Sequence, residues 1–210
     1  AGGSWGRPAW SPDGRHVAFH RGSDLLTSDR YGGSQNVVPL PGNLCCADEP
    51  AWSPDGDRLA FSAWSYDFSG QLWVMDPEGN NARVVVSQND CRTPAWSPDG
   101  TRIAYALRGD GTYDICVADA DGVDGNVTQL TTSGSDQYPA WSPDGTRIAF
   151  ASGRDGGAET YDIYAMNADG SNPRPLTPPG AYADVFPTWS PDGRLIAFQR
   201  RSGNVYRVGL

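Results

Sequence analysis

Apolar residues in this chain fall in short stretches, such as Ile148-Ala149-Phe150 and Ile163-Tyr164-Ala165-Met166, each soon closed by polar residues, Gly or Pro. Stretches this short, bounded by turn formers, predict β-strands. They recur in a fixed frame. The string Trp-Ser-Pro-Asp-Gly begins at Trp10, Trp52, Trp96, Trp141 and Trp189, 42 to 48 residues apart. Two variable residues then lead to an aliphatic residue, Ala and an aromatic: Val17-Ala18-Phe19, Leu59-Ala60-Phe61, Ile103-Ala104-Tyr105, Ile148-Ala149-Phe150 and Ile196-Ala197-Phe198.

Each unit reads as a four-stranded meander. A first strand ends in Trp, as in Tyr138-Pro139-Ala140-Trp141. Ser-Pro-Asp-Gly then makes a tight turn: Pro presets its φ, Asp accepts from neighbouring backbone N–H groups, and Gly takes a positive φ. The second strand carries the aliphatic-Ala-aromatic triplet. A variable loop, a third strand such as Asp162 to Met166, a turn such as Asn167-Ala168-Asp169-Gly170 and a short fourth strand such as Arg174 to Thr177 complete the unit. One such sheet cannot bury its own faces, but sheets stacked around an axis can. A flat β-solenoid would use repeats of roughly 20–30 residues. The prediction is therefore an all-β chain, a β-propeller of four-stranded antiparallel blades. It forms one domain over 1–210, with blades at about 1–40, 41–88, 89–132, 133–178 and 179–210. Trp and the triplet should pack between blades, with Ala small where facing sheets approach closely.

Pro-Ala-Trp-Ser-Pro-Asp-Gly, Ile-Ala-Phe, Asp-Ile-Tyr-x-Met-Asn-Ala-Asp-Gly and an Arg-x-Leu-Thr strand together resemble the TolB-like, WD-related β-propeller repeat. Blade four (Pro139 to Thr177) matches almost throughout, and blade one is the most divergent. Proteins with this repeat include a periplasmic component that binds a lipoprotein, propellers that gate serine peptidases, and lyases. The resemblance thus implies a fold and an extracytoplasmic setting, and leaves the function open.

Composition removes some function classes. The formal net charge is −9, and all 16 basic residues are Arg. An acidic surface without basic clusters argues against nucleic acid and against an anionic membrane surface. No apolar run approaches the roughly 20 residues that span a bilayer, so no membrane insertion is expected. Catalysis has little to draw on: there are two His, His16 and His20, and no Gly-x-Ser-x-Gly elbow. His16 stands where other blades carry Arg58, Arg102 and Arg147, a position expected to face solvent.

Blade five has three predicted strands and lacks its outer, fourth one; Ala1 to Ser4 lie too close to Trp10 to supply it comfortably. Two readings follow: a fragment of a longer propeller of six or more blades, or a five-bladed ring whose last blade stays open or pairs with another chain along its edge. The second reading includes a homo-oligomer.

Several residues suggest sites. Asp48, Asp90, Asp136 and Asp184 precede their Trp by four to six residues and are expected to ring one mouth of the central channel, with Trp5 in the equivalent place in blade one. Carboxylates so placed would focus negative potential on a cation or a basic partner; equally, each Asp caps a turn. Trp64, Tyr66 and Phe68 alternate in the Trp64 to Gly70 loop, an aromatic contact site for a protein or sugar, or a segment packed on a neighbouring blade. Asp119, Asp121 and Asp124, with Asn126, resemble a calcium loop with its third acid one position late. Calcium is the one cofactor suggested; no other is expected. Cys45, Cys46 and Cys91 are disulfide candidates, as Cys45–Cys91, Cys46–Cys91 or the rarer Cys45–Cys46, while Cys116 is expected to be a buried thiol. The leading expectation is a non-enzymatic binding or scaffolding propeller with a protein or glycan partner. The alternatives are an accessory propeller of a larger hydrolase or lyase, and a subunit that self-assembles through the open edge of blade five.

Overall fold

A computed structural model describes residues 7–42, 44–66, 70–87, 90–124, 126–133, 135–155, 160–179, 182–202 and 205–209, the last span and Ser202 by backbone only. The strands form five antiparallel sheets in chain order. Blade one comprises Ala9–Trp10, His16–Arg21, Asp24–Asp29 and Gln35–Val37; blade two, Leu44–Trp52, Leu59–Ser65, Gly70–Met75 and Arg83–Val86; blade three, Cys91–Trp96, Arg102–Arg108, Tyr113–Asp119 and Thr128–Gln129. Blade four comprises Asp136–Trp141, Arg147–Ser152, Asp162–Asn167 and Arg174–Pro175, and blade five Ala183–Trp189, Ile196–Ser202 and Val205–Gly209. Four sheets have four strands and the fifth has three.

The Ser-Pro-Asp-Gly turn is built identically five times. The Ser hydroxyl donates to the Asp carboxylate at 2.5–2.6 Å, and that carboxylate accepts the backbone N–H two residues on. The same Ser oxygen accepts the N–H that opens the second strand, at 2.9–3.0 Å. The closing Gly adopts φ of 66° to 81°, which a side chain would resist. These bonds favour the ionised carboxylate. The Ser97 and Ser142 hydroxyls, aided by Thr101 and Thr146, hold Asp99 and Asp144 down at about 2. In an unfolded chain Asp titrates near about 3.9. Stability from these turns is therefore present above pH 4 and lost as pH falls from about 4 towards about 2. Melting temperatures measured from pH 5 to pH 2 should fall on that limb, and Asp99→Asn with Asp144→Asn should make it shallower.

The core lies between blades. In the blade three–four cluster, Ile148 and Phe150 of blade four pack against Ala104, Ile115 and Val117 of blade three. In the blade two–three cluster, Ile103 and Tyr105 meet Ala60, Leu72 and Val74. The aliphatic and aromatic members of the triplets in blades three and four thus face the preceding blade, where the Ala of that blade's triplet receives them. The repeat Trp closes the same seam: the indole N–H groups of Trp52, Trp96 and Trp189 donate at 3.1 Å to the carbonyls of Ala9, Ala51 and Ala140 one blade back.

The residues expected to face solvent have a packing role instead. Arg58, Arg102 and Arg147 lay their guanidinium groups over Trp96, Trp141 and Trp189 of the following blade, at 4.6, 4.8 and 4.6 Å from the ring centroid. His16 is exposed, as expected of this position, with its ring 6.5 Å from that of Trp52. Planar cations favour aromatic faces, so this position stitches blade to blade. Among the described residues, Trp10 and Leu195 lack that cover. Trp10 is 57% exposed, against 8% for Trp96 and Trp141, and Leu195, which occupies the stacking position in blade five, is 54% exposed.

Candidate functional site: the central channel

Each innermost strand carries the same local irregularity. The ladder shifts register between Asp48 and Ala51, between Ala106 and Ala104 opposite Arg92 and Ala95, between Gln137 and Ala140, and between Val185 and Thr188. Two residues, a variable one and a Pro, thus oppose one aromatic on the second strand, which is a β-bulge. Pro suits the place because it has no N–H to give the ladder. A residue before Pro ordinarily takes extended backbone. Glu49, Thr93, Tyr138 and Phe186 instead take φ of 53°, 52°, 59° and 59°, the left-handed conformation that a bulge can impose on its first residue and that non-glycine residues rarely hold.

The bulges line an axial cavity of about 330 Å³, to which Arg7, Glu49, Thr93 and Tyr138 contribute from four blades. Phe186 completes the ring. It meets Tyr138 edge to face at 4.3 Å between centroids and lies under the Arg7 guanidinium at 4.3 Å. Glu49 accepts the Thr93 N–H at 2.7 Å. Burial nonetheless raises the Glu49 pKa, against the opposing pull of that bond and of Arg92 and Arg7. Burial also raises Tyr138 from its ordinary value. The Thr93 hydroxyl is buried without a hydrogen-bond partner. The channel lining therefore offers a carboxylate, a guanidinium, two aromatic rings and an unused hydroxyl. The sequence reading missed these five residues. Their signal was a variable residue in front of a repeated Pro.

The four acids lie further along the same strands, each matched by a base. Asp48 accepts from His20 Nδ1 of blade one at 2.8 Å. Asp90 accepts from Arg92 Nε at 2.7 Å, Tyr113 at 2.8 Å and Arg108 at 3.3 Å. Burial works to raise the Asp90 pKa, but these donors outweigh it and lower it. Asp136, fully buried, accepts from Arg154 Nη2 at 3.1 Å and from Ser133 at 2.6 Å. Asp184 takes a two-pronged bond from Arg200, both arms 2.7 Å. Partners from the same strand, neighbouring strands and loops thus balance the carboxylate charge. Arg108, part of an Arg-Gly-Asp tripeptide, is one of them. Trp5 lies outside the described residues.

The remaining candidates are dispersed. Trp64 is a strand residue rather than a loop residue, because the second strand of blade two continues to Ser65 opposite Leu44. Its ring lies 5.4 Å below the Arg92 guanidinium. Tyr66 is 76% exposed, and Phe68 lies outside the described residues. The carboxylates of the calcium-like turn point to different partners: Asp119 to Asn126, Asp121 to Arg58 and Arg83, Asp124 to Ser87. No cluster of three or more His, Cys, Asp or Glu able to hold a metal occurs among the described residues. Cys91 is buried with Tyr105 and Cys116 in the blade two–three cluster. Cys45 and Cys46 contact each other. Among the described residues no helix is long and apolar enough to cross a membrane.

The TolB beta propeller domain family matches residues 25–210. No curated protein matches the chain. Among solved structures, the protein assigned as TolB in Agrobacterium tumefaciens aligns with a TM-score of 0.87 at 28% identity, over 98% of this chain and 76% of its own. TolB from Acinetobacter baumannii aligns with a TM-score of 0.78 at 23% identity, over 98% of this chain and 51% of its own. An oligogalacturonate lyase in complex with manganese shares the fold alone, with a TM-score of 0.67 at 16% identity, over 95% of this chain and 60% of its own. Five repeats, blade seams closed by Trp and a family match over most of the length lead to one conclusion: the chain belongs to the TolB beta propeller domain family.

Proposed function

We propose that this propeller is a non-enzymatic binding module that acts outside the cytoplasm and takes a protein segment at its channel mouth. One observation carries the reading. At a structurally equivalent, strained position the blades present different side chains, Glu49, Thr93, Tyr138 and Phe186, while the flanking Pro and Trp repeat unchanged. What repeats serves the fold; what varies at a fixed place is free to serve recognition. Tyr138 and Phe186 offer an aromatic anchor of the kind that dominates interfaces. Glu49 and Arg7 can each meet an opposite charge, and Asp48, Asp90, Asp136 and Asp184 with their bases form the surrounding rim. A segment with one aromatic or aliphatic residue flanked by charges fits this chemistry. A second reading, an accessory propeller of a larger hydrolase or lyase, is favoured by the uncovered faces at Trp10 and Leu195, which could seat a further blade or domain.

In the test, immobilised protein is incubated with extracytoplasmic extract and bound protein is quantified. Tyr138→Ala with Phe186→Ala should weaken capture by about thirtyfold, the size of one interface hot spot. Tyr31→Ala, at an 87% exposed site away from the channel ring, should leave it unchanged. Equal capture by the two variants would remove the channel from the account.

A further inference from the structure

Adjacent residues in a β-strand point to opposite faces, so neighbouring cysteines normally keep their sulfurs apart. Cys45 and Cys46 do not follow that rule. Leu44 pairs with Ser65 and Cys46 with Trp64, with a register shift between the two pairs that leaves Cys45 as the extra residue of a bulge. Alternation breaks there, and the two Sγ atoms stand 2.9 Å apart. Cys45 Sγ donates to the Trp64 carbonyl at 3.3 Å, which fixes its rotamer towards Cys46. Both side chains are partly exposed. Burial and the neighbouring Cys45 raise the Cys46 thiol to about 11. Cys91 and Cys116, by contrast, are shut from solvent at 0% and 1% exposure, with burial raising both thiols to about 12.

We propose that Cys45 and Cys46 form a vicinal dithiol that closes reversibly to a disulfide by exchange with a small disulfide such as oxidised glutathione. One cysteine thiolate attacks the external disulfide, releases one glutathione thiol and leaves a mixed disulfide. The neighbouring thiol then loses its proton and attacks the protein sulfur of that bond, expelling the second glutathione thiol. Net, two S–H bonds of the protein become one S–S bond, and one glutathione disulfide becomes two thiols. Adjacent Cα atoms stand about 3.8 Å apart, closer than the roughly 4.4–6.8 Å of most disulfides. A bond so placed is easily reduced, the property of a reversible modification rather than a structural staple. This proposal is independent of the channel reading, and either can fail without the other.

The experiment is intact-mass and peptide-mass measurement on the folded protein after incubation with oxidised glutathione, then alkylation. The wild type should lose the mass of two hydrogens within the peptide that holds Cys45 and Cys46, keep no glutathione, and regain the mass with dithiothreitol. Cys91 and Cys116 should be alkylated only after denaturation. Cys45→Ser should trap one stable glutathione on Cys46, because the resolving thiol is gone. Glutathione retained on wild-type Cys45 or Cys46, a cross-link to Cys91, or no reaction in either protein would each overturn the proposal.

Discussion

Replacing Trp96 with alanine should destabilise the protein by about 3–5 kcal/mol, the range for removing a large buried aromatic, whereas the same change at Trp10 should cost under about 0.5 kcal/mol, as at ordinary surface sites. Both residues head the same five-residue string. Trp96 is 8% exposed, donates to the Ala51 carbonyl at 3.1 Å and lies beneath Arg58 at 4.6 Å. Its loss would open a cavity in the blade two–three cluster and leave a carbonyl without its donor. Trp10 is 57% exposed, so its ring gains little from the fold. Guanidinium unfolding of the two variants measures the difference directly. Similar midpoints would mean that the repeat Trp works within its own blade instead of between blades.

The second large effect concerns Arg154. Its guanidinium reaches Asp136 at 3.1 Å, and the Asp136 side chain is fully buried, with Oδ1 lacking any partner. Arg154→Ala would leave a buried carboxylate without its cation, still accepting from the Ser133 hydroxyl, and should cost about 3–5 kcal/mol, the range for breaking a buried pair from one side. The reverse substitution is milder. Asp136→Asn removes the charge and keeps the shape, and the Arg154 side chain, 21% exposed, can turn to water. A loss nearer about 1–2 kcal/mol is expected there. Arg154 also stacks over Tyr164 at 4.6 Å, so Arg154→Met serves as a control that keeps the stem packing without the charge. If Arg154→Met restores stability, packing rather than pairing explains the loss.

The features legible in the sequence are those whose partners are local or repeated. The Ser-Pro-Asp-Gly turn is closed within six residues by bonds such as Arg102 N–H to Ser97 Oγ, so its residue types disclose its geometry. The triplet disclosed the seam because Ala60 or Ala104 has no reason to stay small except the blade that follows. Arg58 and its equivalents were misplaced in solvent because their partner, Trp96 for Arg58, belongs to the next blade. The four acids were found, but their bases lie on other strands at differing offsets, such as Arg108 for Asp90 and Arg200 for Asp184. The channel ring went unread because a bulge is a product of pairing. Only the pre-proline position of Glu49, Thr93, Tyr138 and Phe186 marked it. Trp64 looked like loop because the bulge at Cys45, which keeps its strand paired, has no signature in composition.

The central claim is that repeated residues hold the propeller together while the variable ring at the channel performs recognition. The most direct measurement uses one variant that makes the ring uniform, Glu49→Thr, Tyr138→Thr and Phe186→Thr together, with unfolding free energy and partner capture followed on the same preparation. The account predicts a variant that still unfolds cooperatively, at a cost of about 2–4 kcal/mol for the lost ring contacts, and loss of capture. Capture at the wild-type level by a folded variant would contradict it.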